Sequence, residues 1–254
     1  MKDNAMELVV NAGQTLLENG GEVFRAQQTM EIMAHHLGVQ EFHVYVLTNG
    51  IFASGRSGDG DCVNLVRHVP RVTIHLGRVE AVNELSRQVA AGQLDLAGAQ
   101  QRLLQVRRME APSPRSERLA CVTGCACFAF LFGGALPEIL TAAAAGLVES
   151  LTCQQFGKRR INRIFTDIVA AFLATSLALC VRCVVPVLDV NTSTIGALMV
   201  LTPGVSLTMG IRDILNADYL SGAIRLLDAV LIAGSLACGV ALAWLAARGW
   251  GVLL

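Results

Sequence analysis

Long uncharged hydrophobic stretches in the second half of the chain most constrain its fold. Leu119–Leu136 and Ala229–Ala247 contain no charged residue, and a transmembrane helix needs about 20 consecutive apolar residues. Three further segments have a similar length and character: Pro137–Phe156, Phe165–Leu188 and Ser193–Ile211. The sequence therefore predicts an all-α membrane domain of about five transmembrane helices over residues 119–254.

The composition divides the chain of 254 residues into two unlike halves. Residues 1–118 contain 12 Lys/Arg and 13 Asp/Glu, whereas residues 119–254 contain 8 Lys/Arg and 7 Asp/Glu. Only 16% of all residues are charged and 53% are hydrophobic, compared with roughly 25% charged in a soluble domain. This composition excludes a disordered chain, a nucleic-acid-binding surface and a small disulfide scaffold. It indicates a soluble domain joined to a membrane domain.

The first half, residues 1–110, has the pattern of an α+β domain. Asn49-Gly50 between two apolar runs is a strong hairpin signal, and Arg56–Asp61 is a polar, glycine-rich turn. Apolar residues at helical spacing predict four helices, and β-branched runs predict four strands. The helices are Met6–Asn19, Glu22–Leu37, Gly77–Ala91 and Asp95–Met109, and the strands are Phe42–Thr48, Ile51–Ser54, Cys62–His68 and Val72–Leu76. Residues 111–118, which begin Ala-Pro-Ser-Pro, are predicted to be a linker.

The N-terminus and the basic residues together predict the orientation. Met1–Val10 contains Asp3 and Glu7 and lacks the basic and apolar regions of a secretory signal peptide. Basic residues near span ends favour the cytoplasm, and three groups of them fall on the same side of the predicted spans. They lie at positions 102–118, 158–163 and 212–225. We therefore expect a cytoplasmic N-terminal domain and an external C-terminus.

The fourth predicted span is interrupted by Pro203-Gly204. Proline at this position cannot donate to the carbonyl of Met199, and a freed carbonyl must be satisfied inside protein or in a wet cavity. Broken helices of this kind form transporter binding sites. Thr202, Pro203, Gly204, Ser206 and Thr208 are therefore candidate substrate-binding residues. Thr202 and Ser206, four residues apart, are expected to share a helix face. A simple proline kink with hydroxyls bonded back to the helix is an equal alternative.

Four charged residues are candidates for gating or coupling: Glu149, Asp167, Arg212 and Asp213. A carboxylate in hydrocarbon is costly, so it faces a cavity, binds a proton or pairs with a cation. Glu149 and Asp167 fall near the cytoplasmic ends of their spans, within possible reach of the arginines at 159, 160 and 163. Interfacial anchoring or ion pairing is the alternative to proton coupling. Arg182 is expected to pair with Asp189 for a structural reason.

The sequence gives no sign of a catalytic centre, a cofactor or a metal. The five histidines are dispersed, without the tight spacing of a metal-ligand set. Cys180-x-x-Cys183 lies in an apolar run, where free cysteine acts as a small hydrophobe. The glycines at positions 55, 58 and 60 are followed by no helix and so form no nucleotide loop. We therefore expect no enzyme activity, no cofactor, no metal and no nucleic-acid partner.

Several stretches, taken in order, resemble the threonine/serine exporter family of bacterial inner-membrane proteins. They are Gly13–Arg25 (GQTLLENGGEVFR), the Val44–Ala53 hairpin, Phe132-Gly-Gly134, Leu201–Asp213 (LTPGVSLTMGIRD) and Asn216–Arg225 (NADYLSGAIR). The resemblance covers almost the whole chain, and residues 202–225 are its most specific part.

The resemblance implies a cytoplasmic domain and a membrane domain that exports small hydrophilic metabolites, in exchange for entering protons. Fused members of the family have a second membrane half, and this sequence ends at Leu254 without one. It therefore looks like the large subunit of a split exporter that works with a separate small membrane subunit as a hetero-oligomer. Threonine, serine and succinate-like dicarboxylates are the implied substrates. A membrane-tethered enzyme or sensor acting through the cytoplasmic domain is the alternative.

Overall fold

The structure, a computed structural model, describes residues 3–56, 62–69 and 73–249. Within these ranges it contains ten helices and one three-stranded sheet. The chain divides into two compact units. Unit 1 comprises residues 1–111 together with 208–225, and unit 2 comprises residues 112–207 together with 226–254. Residues 208–225, which the sequence places around the end of the fourth span, thus belong with the N-terminal α+β fold.

Unit 1 begins with two helices that are separated by glycines. The helix α1 ends at Glu18 and is followed by Gly20, whose φ of 87° is a left-handed conformation that glycine adopts without strain. Gly38 follows α2 in the same way, with a φ of 73°. The elements of this unit, in chain order, are α1 (Asp3–Glu18), α2 (Val23–His36), β1 (Gln40–Leu47), β2 (Gly50–Arg56), β3 (Cys62–His68), α3 (Leu76–Ala90) and α4 (Leu96–Arg107).

The three strands form an antiparallel sheet in the order β1-β2-β3. The predicted hairpin is confirmed, but Leu47 pairs with Gly50, so Thr48 and Asn49 form the two-residue turn. Neither turn residue has a positive φ, so the turn is not the type I′ turn that Asn-Gly usually forms. Helices and sheet share one apolar core, in which Leu16, Met30 and Ile51 are almost fully buried.

The fourth predicted strand, Val72–Leu76, is wrong in its described part. Val72 lies outside the described residues, and Thr73–His75 has no strand structure before α3 begins at Leu76. The amides of Thr73 and His75 donate to the carbonyls of Glu18 and Asn19 at the end of α1. These amides are therefore satisfied by a helix terminus instead of a sheet edge. The predicted turn at Arg56–Asp61 lies outside the described residues beyond Arg56.

Unit 2 is helical throughout its described part. Its elements are α5 (Pro114–Leu131), α6 (Leu136–Lys158), α7 (Arg163–Val184), α8 (Val190–Leu198), the first turn of α9 (Gly204–Leu215) and most of α10 (Tyr219–Gly249). Small residues dominate where these helices pack, for example Ala145 of α6, Ala174 of α7 and Ala197 of α8. Small side chains allow close backbone approach, which is how helices associate in a membrane.

Within the described part of the chain, three helices are long and apolar enough to cross a membrane: α6, α7 and α10. The first predicted span, Leu119–Leu136, corresponds to α5, which begins earlier, at Pro114, inside the predicted linker. The first turns of α5 contain Arg115, Glu117 and Arg118, and these charged side chains make the start of the helix less suited to the interior of a membrane. Ser113 caps α5 by accepting a hydrogen bond from the Ser116 amide at 3.2 Å, a favourable helix start.

The remaining predicted spans differ from the helices at their ends. The third prediction ran to Leu188, but α7 ends at Val184, two residues before Pro186, because a helix rarely continues into a proline. The fourth is not one helix: α8 ends at Leu198 and α9 begins at Gly204. The fifth was placed at residues 229–247, whereas α10 has 31 residues. At about 1.5 Å per residue, α10 is longer than a bilayer core is thick.

Candidate functional site

The break between α8 and α9 occupies residues 199–203 in the fold. The Leu198 carbonyl, at the end of α8, accepts from the amides of Leu201 and Thr202 at 2.9 and 3.1 Å. The carbonyl of Pro203 accepts from the Leu207 amide at 2.9 Å and so starts α9. Two short helices of 9 and 12 residues result. The ends of two half-helices therefore face a short non-helical segment, the arrangement seen in transporter binding sites.

Two details of the break correct the sequence interpretation. The Met199 carbonyl, which Pro203 was expected to leave without a protein donor, accepts a hydrogen bond from the hydroxyl of Thr202 at 2.6 Å. Thr202 also precedes α9, so it does not share a helix face with Ser206, the only one of the two inside the helix. The side chain of Thr202 is exposed and that of Ser206 is half-buried. The hydroxyl of Thr202 therefore links two residues of the break, and Thr202 itself is one of the residues that form it.

Glu149 is the most deeply buried acid of unit 2, with none of its surface exposed. It lies on α6, and its Oε2 is 4.0 Å from the Sγ of Cys125 on α5. The Cys125 thiol is also 3.3 Å from the carbonyl of Ala197 in the last turn of α8. The other carboxyl oxygen of Glu149, Oε1, is buried and has no hydrogen-bond partner among the described residues. Glu149 therefore lies close to the end of α8, and its Oε1 can still accept a hydrogen bond or bind a cation.

Gly146 permits the close approach of α5 and α6 beside this acid. A Cβ at this position would lie 2.6 Å from Cys125 Sγ and 3.2 Å from the Cys121 carbonyl. The Cys121 thiol in turn donates to the Gly146 carbonyl at 3.3 Å. Similarly, a Cβ on Gly196 of α8 would lie 2.7 Å from Ala129 of α5. Two glycines therefore allow α5, α6 and α8 to meet around Glu149.

Asp167 has the cationic partner that the sequence suggested. Its Oδ2 lies 3.7 Å from Arg163 Nε, one turn earlier on α7. The Asp167 side chain is 7% exposed and that of Arg163 is 64% exposed. Because solvent screens the exposed arginine, this pair is weak as a source of stability. Glu149 has no such ion pair among the described residues.

Arg212 and Asp213, on α9, form ion pairs within unit 1. Arg212 donates to the Oε1 of Glu22 at 2.6 Å, although 190 positions separate them in the chain. Asp213 is 1% exposed and lies 3.0 Å from the Nε of Arg225 on α10. Arg225 also donates to the carbonyl of Gly21 at 3.2 Å. The gating candidates are therefore joined to the turn that precedes α2.

Two of the sequence stretches that support the family resemblance thus meet in space. The stretch Gly13–Arg25 contributes the turn and Glu22, and residues 202–225 contribute both arginines and Asp213. Close packing brings α9 and α10 together here, since a Cβ on Gly222 would lie 2.8 Å from the Gly210 carbonyl. Sequence reasoning did not identify Glu22 or Arg225 as site residues. The signal available in the sequence was that these two residues have opposite charges and lie within stretches that support the family resemblance.

A polar cluster surrounds the start of α8. Asp189 caps this helix by accepting from the amides of Asn191 and Thr192, and from the hydroxyl of Thr192 at 2.5 Å. The hydroxyl of Thr192 is the main reason that the pKa of Asp189 lies below its usual value. Arg182, which the sequence expects to pair with Asp189, donates to the Leu188 carbonyl at 2.7 Å, and its charge contributes to lowering the pKa of Asp189. Glu138, on α6, accepts from the Asp189 amide at 2.9 Å.

The sequence interpretation expected no metal ligands, yet three candidate ligands converge in unit 2. The donor atoms of Cys121, Cys125 and Glu149 all lie within 4.8 Å of one another. The spacing of the two cysteines, four residues apart on one helix, was visible in the sequence. Their position opposite Glu149 was not, because it depends on how α5 packs on α6.

Long apolar helices, together with a helix broken inside an apolar segment, are features of an integral membrane protein. A family model described as "Putative threonine/serine exporter" matches residues 7–246. The chain therefore belongs to the ThrE family of threonine/serine exporters, a family of transporters of small molecules across the lipid bilayer. No curated protein and no solved structure matches the chain.

Proposed function

We propose that this protein exports threonine, serine or a succinate-like dicarboxylate across the bacterial inner membrane, with proton entry as the driving force. The observation that carries the proposal is the break at Thr202-Pro203-Gly204, between two half-helices in a chain of an exporter family. Non-helical backbone at membrane depth is tolerated where it lines a cavity or is buried in protein. A small polar solute would bind beside Thr202, Ser206 and Thr208.

Proton coupling is assigned to the buried acids of unit 2. Glu149 supports this role because it is fully buried and lacks an ion pair in the described structure. It is also connected to the end of α8, since the Cys125 thiol contacts both Glu149 and the Ala197 carbonyl. An uncompensated carboxylate in such a place favours binding a proton. Asp167 would act with Arg163 nearer the span end. Arg212 and Asp213 would gate the path, since their partners include Glu22 in the turn before α2.

The proposed topology has five membrane crossings, with unit 1 in the cytoplasm and the C-terminus outside. The crossings are α5, α6, α7, α8 with the break and the first turn of α9, and the part of α10 that follows residue 225. Three of these helices meet the length and hydropathy of a span by themselves. The packing of residues 208–225 with residues 1–111 supports a cytoplasmic position for Arg212 and Arg225, as the distribution of basic residues does.

We propose that a separate small membrane subunit completes the exporter. Thr202 and Gly204 are exposed at the break, and so are apolar side chains of α9 such as Val205 and Leu207. Broken backbone cannot face lipid without cost, so another protein surface is expected to cover this region. The exporter would then be a hetero-oligomer, with this chain as its large subunit.

Uptake into inverted membrane vesicles tests the proposal, because an exporter moves its substrate into the lumen of such a vesicle. Vesicles containing this chain, with and without the candidate partner subunit, would be given labelled threonine, serine or succinate from outside while a proton gradient keeps the lumen acidic. We expect gradient-dependent movement of one substrate class only when both subunits are present. Movement of threonine and serine but not succinate would identify an amino-acid exporter, and the reverse a dicarboxylate exporter. Full transport by this chain alone would contradict the two-subunit proposal, and no transport of any of the three would contradict the function.

A further inference from the structure

The thiols of Cys121 and Cys125 and the carboxylate of Glu149 form a cluster that the export proposal does not fully use. Their donor atoms lie within 4.8 Å of one another. We propose that this cluster is a binding site for a thiophilic divalent cation such as Zn²⁺, with three protein ligands and a fourth position open to water.

The chemistry of the donors selects the ion. Thiolates favour zinc and related soft cations, and a site with three protein ligands leaves one coordination position for a small molecule. Donor atoms around one tetrahedral zinc ion lie about 3.5–4 Å apart. Cys125 Sγ and Glu149 Oε2 are 4.0 Å apart, so only small side-chain movements are needed to close the cluster on an ion.

The buried carboxyl group provides the second, independent observation. Glu149 is fully buried, and its Oε1 has no hydrogen-bond partner among the described residues. Breaking the pairing of a buried charge is strongly destabilising, so a buried carboxylate generally has a cation or a proton. A divalent cation held by two thiolates and Glu149 would compensate the negative charge of this buried carboxylate.

The fold keeps the three ligands in place. Cys121 and Cys125 are one turn apart on α5, and Gly146 of α6 leaves the space that the Cys125 sulfur occupies. Glu149 lies three residues beyond Gly146 and therefore on the same side of α6. Cys121 is half-buried, which gives an ion a route to the cluster from the helix surface.

Binding would release protons from the ligands. Each thiol gives up one proton as its sulfur bonds to the ion, and Glu149 gives up its own if it is protonated. The cation and a transported proton would therefore exclude each other at Glu149. Metal affinity is expected to fall as the pH is lowered, because protons compete for all three ligands.

Co²⁺ is a suitable probe, since it gives visible bands for tetrahedral sites and charge-transfer bands for thiolate ligands. Purified full-length protein in detergent would be titrated with Co²⁺ and then with Zn²⁺. We expect one equivalent of Co²⁺ with thiolate charge-transfer absorption, displaced by Zn²⁺. Cys121→Ser, Cys125→Ser and Glu149→Gln should each weaken binding at least tenfold, as removal of even an outer partner of a metal ligand does. This readout does not depend on transport, so it fails or succeeds independently of the export proposal.

Cys127→Ser is the matched control, because Cys127 is an exposed thiol on the same helix. It should leave the Co²⁺ spectrum and affinity unchanged. Size-exclusion elution would confirm that each variant remains folded, and Cys121→Ser is the mildest ligand variant because its side chain is only half-buried. No charge-transfer band, a band that survives Cys121→Ser and Glu149→Gln, or an equal loss in Cys127→Ser would overturn the site.

Discussion

The hydroxyl of Thr202 lies at the centre of the break between α8 and α9. It donates to the Met199 carbonyl at 2.6 Å, a carbonyl that proline at 203 leaves without its helical donor. We predict that Thr202→Val reduces efflux by about fivefold, or about 1 kcal/mol for one hydrogen bond. Thr202→Ser, which keeps the hydroxyl, should transport normally. The measurement is efflux normalised to membrane expression.

Thr123 provides the control for this prediction. Its hydroxyl also donates to a carbonyl, that of Leu119 at 2.8 Å, but within the continuous helix α5. Thr123→Val should therefore leave efflux unchanged. If Thr202→Val also transports normally, the hydroxyl has no role at the break, and Glu149 becomes the better candidate for the substrate site.

The pair of Asp213 and Arg225 is the most deeply buried ion pair in the described structure, with side chains 1% and 14% exposed. Removing one partner leaves the other charge buried without compensation. We predict that Asp213→Asn destabilises the protein by about 3 kcal/mol, seen as a lower midpoint of thermal unfolding in detergent. Glu84→Gln breaks an exposed pair with Arg87 and should leave the midpoint unchanged. An equal effect of the two substitutions would contradict the structural role of the pair.

At the scale of elements, Gly146 sets the distance between α5 and α6. A methyl group there would approach Cys125 Sγ to 2.6 Å, and overpacking of a close contact costs about 1–3 kcal/mol. We predict that Gly146→Ala lowers thermal stability and expression in the membrane. Gly157→Ala, on the same helix with nothing within 4 Å, should be neutral or slightly stabilising, since alanine favours helix. A loss of stability in Gly157→Ala equal to that in Gly146→Ala would remove the packing argument.

Pro203 separates α8 from α9. Replacing it with alanine restores an amide that can donate within a helix, and so favours joining the two short helices. We predict that Pro203→Ala reduces efflux several-fold while expression in the membrane and thermal stability remain near normal. Normal efflux together with normal expression would show that the break is not needed for transport.

For the whole molecule, the testable property is the orientation of its helices and termini relative to the two sides of the membrane. Single cysteines at Val187, between α7 and α8, and at Gly249, the end of α10, would be introduced into a cysteine-free chain. We predict that a membrane-impermeant thiol reagent labels both from outside the cell, whereas a cysteine at Arg159, after α6, is labelled only after the membrane is opened. Labelling of Val187 or Gly249 only from the cytoplasmic side would contradict the five-crossing topology.

Local sequence was sufficient for much of the fold. Helix ends follow from single residues, as at Gly20, where the left-handed backbone stops α1, and at Pro203, which divides the fourth span. Sequence was insufficient at Thr73–His75, whose β-branched residues resemble a strand. The amides of Thr73 and His75 donate to carbonyls at the end of α1 instead. Hydrogen bonds between segments so far apart in the chain cannot be predicted from the local pattern of residues.

The amino-acid sequence by itself determined the division into an α+β part and an apolar helical part, the hairpin, the break at Pro203 and the family. These depend on composition, periodicity and short motifs, which act over a few residues. Only the tertiary structure decided which charged and thiol groups meet. It paired Glu22 with Arg212 and Asp213 with Arg225, and it placed Cys125 against Glu149. These contacts depend on close helix packing at Gly222 and Gly146. The distance between two packed helices cannot be read from the number of residues that separate them in the sequence.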